Sequence, residues 1–210
     1  MFAGPYIAGA LLLAIAAVGK MRKPATAAAA MRALRLPSTT LSVRIVALAE
    51  FAVAITALVI RTHWAAGTLA FAYLAFSIVV AFLIVSGERE ISCGCFGVDA
   101  APVAPMHLVT NLALAGFALV VAIGHHVPTI PRLLSSGASG VAVVLAACVG
   151  AWSLVVVLTD LPITYRIAMR VRAQSHRDAR DGSGRAQPFR IHDSRSMAAS
   201  APQPGGAQRV

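Results

Sequence analysis

Five apolar runs, each close to the length a helix needs to cross a lipid bilayer, dominate this chain: residues 1–19, 41–60, 67–86, 107–124 and 137–158. A hydrocarbon core about 30 Å thick takes about 20 residues of α-helix. Inside that core no water can satisfy a backbone N–H or C=O, so a spanning segment must close its own hydrogen bonds. The runs therefore read as transmembrane helices. The fold class is all-α, a polytopic bundle of about five spans, four forming a core plus one more. Composition agrees, since 58% of the residues are apolar, only 12% are charged, and mean hydropathy is +0.77. One soluble core of this size cannot bury that much apolar surface, which excludes a soluble enzyme. The first run has no basic residue before it and no small-residue cleavage site after it, so it reads as a retained span rather than a signal peptide.

A formal charge of +10 and a pI near 11 raise the question of nucleic acid, but the placement of the charge answers it. Half of the 18 Lys and Arg lie beyond the last run, at Arg166, Arg170, Arg172, Arg177, Arg180, Arg185, Arg190, Arg195 and Arg209. Lys20, Arg22, Lys23, Arg32 and Arg35 lie between the first two runs. That is flanking charge on a membrane protein, and the partner it implies is the bilayer, not a nucleic acid. Residues 1–160 form the membrane domain. Residues 161–210 form a basic tail which, from Gln174 onward, has almost nothing to bury and is expected to be disordered.

The connections are short. Residues 20–40, bounded by Pro24 and Pro37, read as an interfacial amphipathic segment or a solvated linker. Arg61, His63 and Trp64 mark one turn; His125, His126, Pro128, Pro131 and Arg132 mark another. The adjacent histidines point apart and do not make a metal pair. With five spans, the 20–40 loop, the 87–106 loop and the tail share one face, and only Arg61 and Arg132 lie on the other. The positive-inside bias places the first face in the cytoplasm of a plasma (inner) membrane, with the tail cytoplasmic.

The residues with the most chemistry are Cys93, Gly94 and Cys95, in the 87–106 loop. Two cysteines at i and i+2 can bridge only if their Cα atoms come within about 4.4–6.8 Å. A fully extended pair sits near the upper limit, so the backbone must bend. Gly94 makes that bend inexpensive, and the short strained ring that results is readily reduced, a property of an exchanging disulfide. The alternatives are an inert reduced pair or half of a metal site. The loop holds no further Cys, and the nearest His is His107, so no metal is assigned.

Glu50 lies in the middle of the second run, where a charge costs at least a few kcal/mol, and is expected to face the bundle interior. It reads either as a proton acceptor for thiol chemistry or as a packing residue; Arg44 is a conceivable but distant partner. His107 and Asn111, at i and i+4, share one helix face at the start of the fourth run, beneath the cysteine loop. They are placed to orient a thiolate or a quinone-like carbonyl; the plainer readings are an interfacial histidine and an interhelical hydrogen bond. Cys148, in the fifth run, reads as a small buried apolar residue, with a resolving thiol as the alternative.

The string Cys93-Gly94-Cys95-Phe96-Gly97 between the third and fourth spans, with Glu50 in the second and Asn111 early in the fourth, resembles the methylamine utilisation protein MauE family, related to the DoxX-like membrane proteins. The likeness covers roughly residues 5 to 125. It implies a small helical bundle broadly like the vitamin K epoxide reductase and DsbB type, linked to thiol and disulfide handling. By the same resemblance, Cys93 and Cys95 match the family's cysteine pair, Glu50 its membrane glutamate and Asn111 its asparagine. Members commonly carry Arg before that asparagine, where this chain has Thr110. The family is associated with making the disulfide-rich small subunit of methylamine dehydrogenase alongside a thioredoxin-like partner, which implies an exported substrate protein. That role puts the cysteine loop outside, opposite to the side the charge bias assigns.

The functional expectation is a membrane thiol–disulfide electron carrier. Cys93 and Cys95 cycle between dithiol and disulfide, with a thioredoxin-like partner and, as the cofactor the reading leaves room for, a quinone. The alternatives are a non-enzymatic membrane assembly factor, or a small transporter or lipid-binding bundle centred on Glu50.

Overall fold

The computed structural model describes residues 2–87, 103–124 and 126–184. Among them are seven helices and no strand: α1 (Ala3–Arg22), α2 (Pro24–Ala33), α3 (Thr40–Val59), α4 (His63–Val85), α5 (Pro105–Ile123), α6 (Ile130–Ser135) and α7 (Ala138–Gly184). Five of these, namely α1, α3, α4, α5 and the Ala138–Asp160 part of α7, are long and apolar enough to cross a membrane. The chain is a multi-pass membrane protein.

Several helix starts have a local cause. The Thr39 hydroxyl accepts from the Ser42 N–H at 3.1 Å, and the Thr62 hydroxyl accepts from the Ala65 N–H at 3.2 Å. Such caps satisfy donors that a helix start leaves free, each contributing about 1 kcal/mol. The cap at Thr62 draws His63 and Trp64, expected in the turn, into the first turn of α4. Proline opens α2 and α5, where its missing N–H costs nothing. Past the end of α4, Gly87 takes φ +76°, a left-handed stop that suits glycine. The 20–40 loop contains α2, whose Ala27, Ala28 and Ala30 are buried, and the breaker-rich turn before the fifth span contains α6.

The core forms around α1. Over half of its span window is buried (56%), against 17% for α7. It packs along α3, while α4 packs along α5. Tyr6, Ile7, Leu12 and Leu13 of α1 are buried together with Ala54 and Ala57 of α3, Leu69 and Tyr73 of α4, and Leu114 and Ala118 of α5. Two tyrosines tie the helices by donating to backbone oxygens: Tyr6 to Ala57 at 3.2 Å and Tyr73 to Gly9 at 2.6 Å. Gly9 has to be small for this. A Cβ there would lie 3.3 Å from Leu114 Cδ2 and 3.6 Å from Tyr73 Cε2. Small residues permit such close crossings in lipid, where packing, not the hydrophobic effect, holds helices together. The outward faces are apolar, with Leu41, Phe71, Ile78, Val85 and Ile123 exposed, as a surface wetted by acyl chains requires.

Two compact units divide the chain, Met1–Ala168 and Met169–Val210. The first holds all five spans. In the second, the described residues continue α7 as far as Gly184, past Gln174, where the composition suggests that order ends. Ala, Arg and Gln are good helix formers, and extending an existing helix avoids the cost of nucleating a new one. Residues 185–210 lie outside the described residues.

Candidate functional site

Within the bundle, Glu50 meets a partner that the sequence reading assigned to a loop. Lys20, in the last turn of α1, places its Nζ 2.6 Å from Glu50 Oε2, and each side chain is only 7% exposed. The Lys20 ammonium also stands 4.7 Å from the centre of the Phe76 ring on α4. Three helices thus supply a cation, a carboxylate and an aromatic face to one spot. The interior position expected for Glu50 is observed. Arg44, one candidate partner, is exposed. Lys20 is inconspicuous in the sequence because it follows Gly19, where the first apolar run breaks, and stands among other cations. A signal was present: Glu50 is the only acidic residue before Glu88, so a buried countercharge had to come from a cation on a neighbouring helix.

The pair lines a cavity of about 230 Å³ walled by Ala27, Ala30, Met31, Val43, Phe76, Val79 and Val80, among others. Glu50 Oε1 is buried there and has no hydrogen-bond partner among the described residues. The site therefore offers an ammonium and a free acceptor oxygen inside apolar walls. Between apolar walls, a polar group bound there would be held more strongly than in water.

The cavity wall is continuous with the point where the cysteine loop returns. Ala30 and Val80 pack in one apolar cluster with Leu83 and Val103, and Val103 is the first described residue after the loop. Cys93, Gly94 and Cys95 themselves lie outside the described residues. The end of α4, the start of α5 and Lys20 at the end of α1 lie at one end of the bundle.

His107 is buried (3% exposed) in the first turn of α5. Its Nδ1 lies 3.3 Å from the Ala104 N–H, closing the helix start, and Nε2 is buried without a partner among the described residues. His107 is thus a buried residue at the start of the fourth span, its ring bonded to the Ala104 N–H. Asn111, one turn on, is half-buried. Thr110, where the family resemblance leads one to expect arginine, lines a separate apolar groove with Ala8, Phe117 and Ala147. Cys148 is an exposed free thiol on α7, not the buried residue expected, since α7 lies at the bundle edge and turns that face outward.

The model of the methylamine utilisation protein MauE family matches residues 2–124. This chain belongs to that family. The match takes in α1 to α5 and stops before α6 and α7. Membership in the MauE family makes this a MauE-like membrane protein linked to methylamine utilisation. Searches of curated proteins and of solved structures give no match.

Proposed function

We propose that this MauE-like protein is a membrane thiol–disulfide electron carrier, in which Cys93 and Cys95 exchange between dithiol and disulfide. Closing the disulfide releases two electrons and two protons, which an acceptor must take; opening it returns them from a thioredoxin-like partner or a substrate protein. The observation that carries the reading is the apolar-walled cavity holding Lys20 and Glu50, whose wall packs against Val103. A quinone head group fits the residues present, because the Lys20 ammonium can donate to a carbonyl oxygen, Glu50 Oε1 can accept from a hydroxyl, and Phe76 can stack on the ring. Bound there, it supplies a two-electron, two-proton acceptor. Glu50, paired with Lys20, is the carboxylate that can take up a proton within the cavity, Lys20 orients it, and the apolar walls exclude water. The protein sits in the plasma membrane with the loop and α2 on the lysine- and arginine-rich, cytoplasmic face.

The test is redox trapping by alkylation and mass spectrometry of membranes from oxidised and reduced cultures. Cys93 is expected bridged to Cys95, or to a partner, in a fraction that changes with growth state and shifts in Glu50→Gln. Finding neither bridge in either state would sink the proposal. The same cavity favours a second reading, a binding or transport bundle centred on Glu50. Under it, Cys93→Ser/Cys95→Ser retains full function while Glu50→Gln loses it.

A further inference from the structure

At the end of the bundle opposite Lys20 and the start of α5 lies a second cavity, of about 580 Å³, where α1 begins, α5 ends and α6 packs against α3. Arg61 and Arg132 both line it, with His126 beside them, over a floor that includes Val121, Val127 and Leu133. Its wall is built, since Val127 is 3% exposed in the connection leading to α6. Neither arginine forms an ion pair among the described residues. The sequence explains why. Residues 51–87 and 103–159 contain no Asp or Glu at all, and Glu50, the one carboxylate before Glu88, is taken by Lys20.

Two arginines with no countercharge among the described residues line one cavity at the depth where the spans end, at Val59, His63 and Ile123. Trp64, 85% exposed in the first turn of α4 and three residues after Arg61, marks that depth, because amphipathic rings settle at the headgroup level. Unpaired cations at a membrane boundary call for an anion, and guanidinium matches phosphate with paired donors. The apolar floor selects the source: a free phosphate would contact the arginines alone, whereas a phospholipid also covers Val121, Val127 and Leu133 with its glycerol and first acyl carbons. We infer that this cavity holds the headgroup of an anionic phospholipid, its phosphate between Arg61 and Arg132. The site is independent of the thiol reading, as it shares no residue with the Lys20–Glu50 cavity.

The experiment uses the full chain, purified in detergent and delipidated, with lipid retention read by native mass spectrometry. Phosphatidylglycerol is the probe, phosphatidylcholine and excess inorganic phosphate are the competing arms, and Arg44→Gln is the charge-matched control. Retained phosphatidylglycerol is expected to fall about tenfold for each arginine replaced by Gln, as for loss of one charge-assisted contact of about 1.4 kcal/mol, and to be unchanged in Arg44→Gln. Arg61→Lys and Arg132→Lys keep the charge but not the paired donors and are expected to lose less than the Gln variants, so a Gln variant that fails to fold leaves the comparison available. Equal retention in the Gln variants overturns the inference. So does equal affinity for phosphatidylcholine, or displacement by inorganic phosphate, which would make this a free-anion site.

Discussion

Removing one half of the buried pair should be far costlier than removing both. Lys20→Met keeps the length and apolar stem of the side chain but deletes the ammonium that Glu50 Oε2 contacts at 2.6 Å. Both side chains are 7% exposed, so water cannot take the vacated place freely. Glu50 Oε1 already lacks a partner among the described residues, so the variant strips the other oxygen as well. Breaking a buried pair from one side costs about 3–5 kcal/mol, and loss of the contact with Phe76 adds about 1 kcal/mol. Proton uptake by Glu50 limits the total, because a neutral acid is cheaper to bury than an ion; a net loss of about 3 kcal/mol is expected. Lys20→Met/Glu50→Leu leaves no stranded charge and should cost less than either single change. The assay is reversible unfolding in mixed micelles at neutral pH, with helicity followed by circular dichroism, over the full double-mutant cycle. If Lys20→Met loses under about 0.5 kcal/mol, or the double variant loses the sum of the singles, the two residues are not one energetic unit and the reasoning fails.

Other outcomes follow from single contacts. A Cβ at Gly140, buried in the first turn of α7, would collide with the Leu133 carbonyl oxygen and the Ser136 hydroxyl. Gly140→Ala should therefore cost about 1–3 kcal/mol by overpacking and open the α6–α7 connection to limited proteolysis, which full resistance would contradict. Tyr73→Phe removes the 2.6 Å bond to the Gly9 oxygen and should lower unfolding stability by about 0.5–1.5 kcal/mol; a variant as stable as the parent would show that the hydroxyl contributes nothing. Cys148, exposed in the middle of the α7 span, should react in membranes with lipophilic maleimides and resist charged ones. Fast labelling by a charged reagent would mean that this face meets water.

Most of the architecture was legible in the hydropathy, because lipid gives a chain few options. The four spans 41–60, 67–86, 107–124 and 137–158 reappear in α3, α4, α5 and the first part of α7, and 1–19 in α1. Boundaries moved where a side chain intervened. Thr62 pulled His63 and Trp64 into α4, and α1 ran on to Arg22, carrying Lys20 from the imagined loop into the interior. The carboxylate of the site was legible and its cation was not. A charge in mid-span is conspicuous on its own, but Lys20 and Glu50 stand 30 residues apart, and no local pattern reports a contact made across two helices.

Where the chain must cross, and that it must be helical there, follows from length and apolarity alone, since an unsatisfied backbone group in hydrocarbon is too costly for any other answer. Which side chains meet inside does not follow from them. Close approach at Gly9, the hydroxyl of Tyr73, the inward turn of His107 and the burial of Lys20 against Glu50 and Phe76 all depend on how the helices are rotated about their axes. In lipid that rotation is chosen by packing and by the few polar groups that need partners, so the site exists only once the helices have found each other.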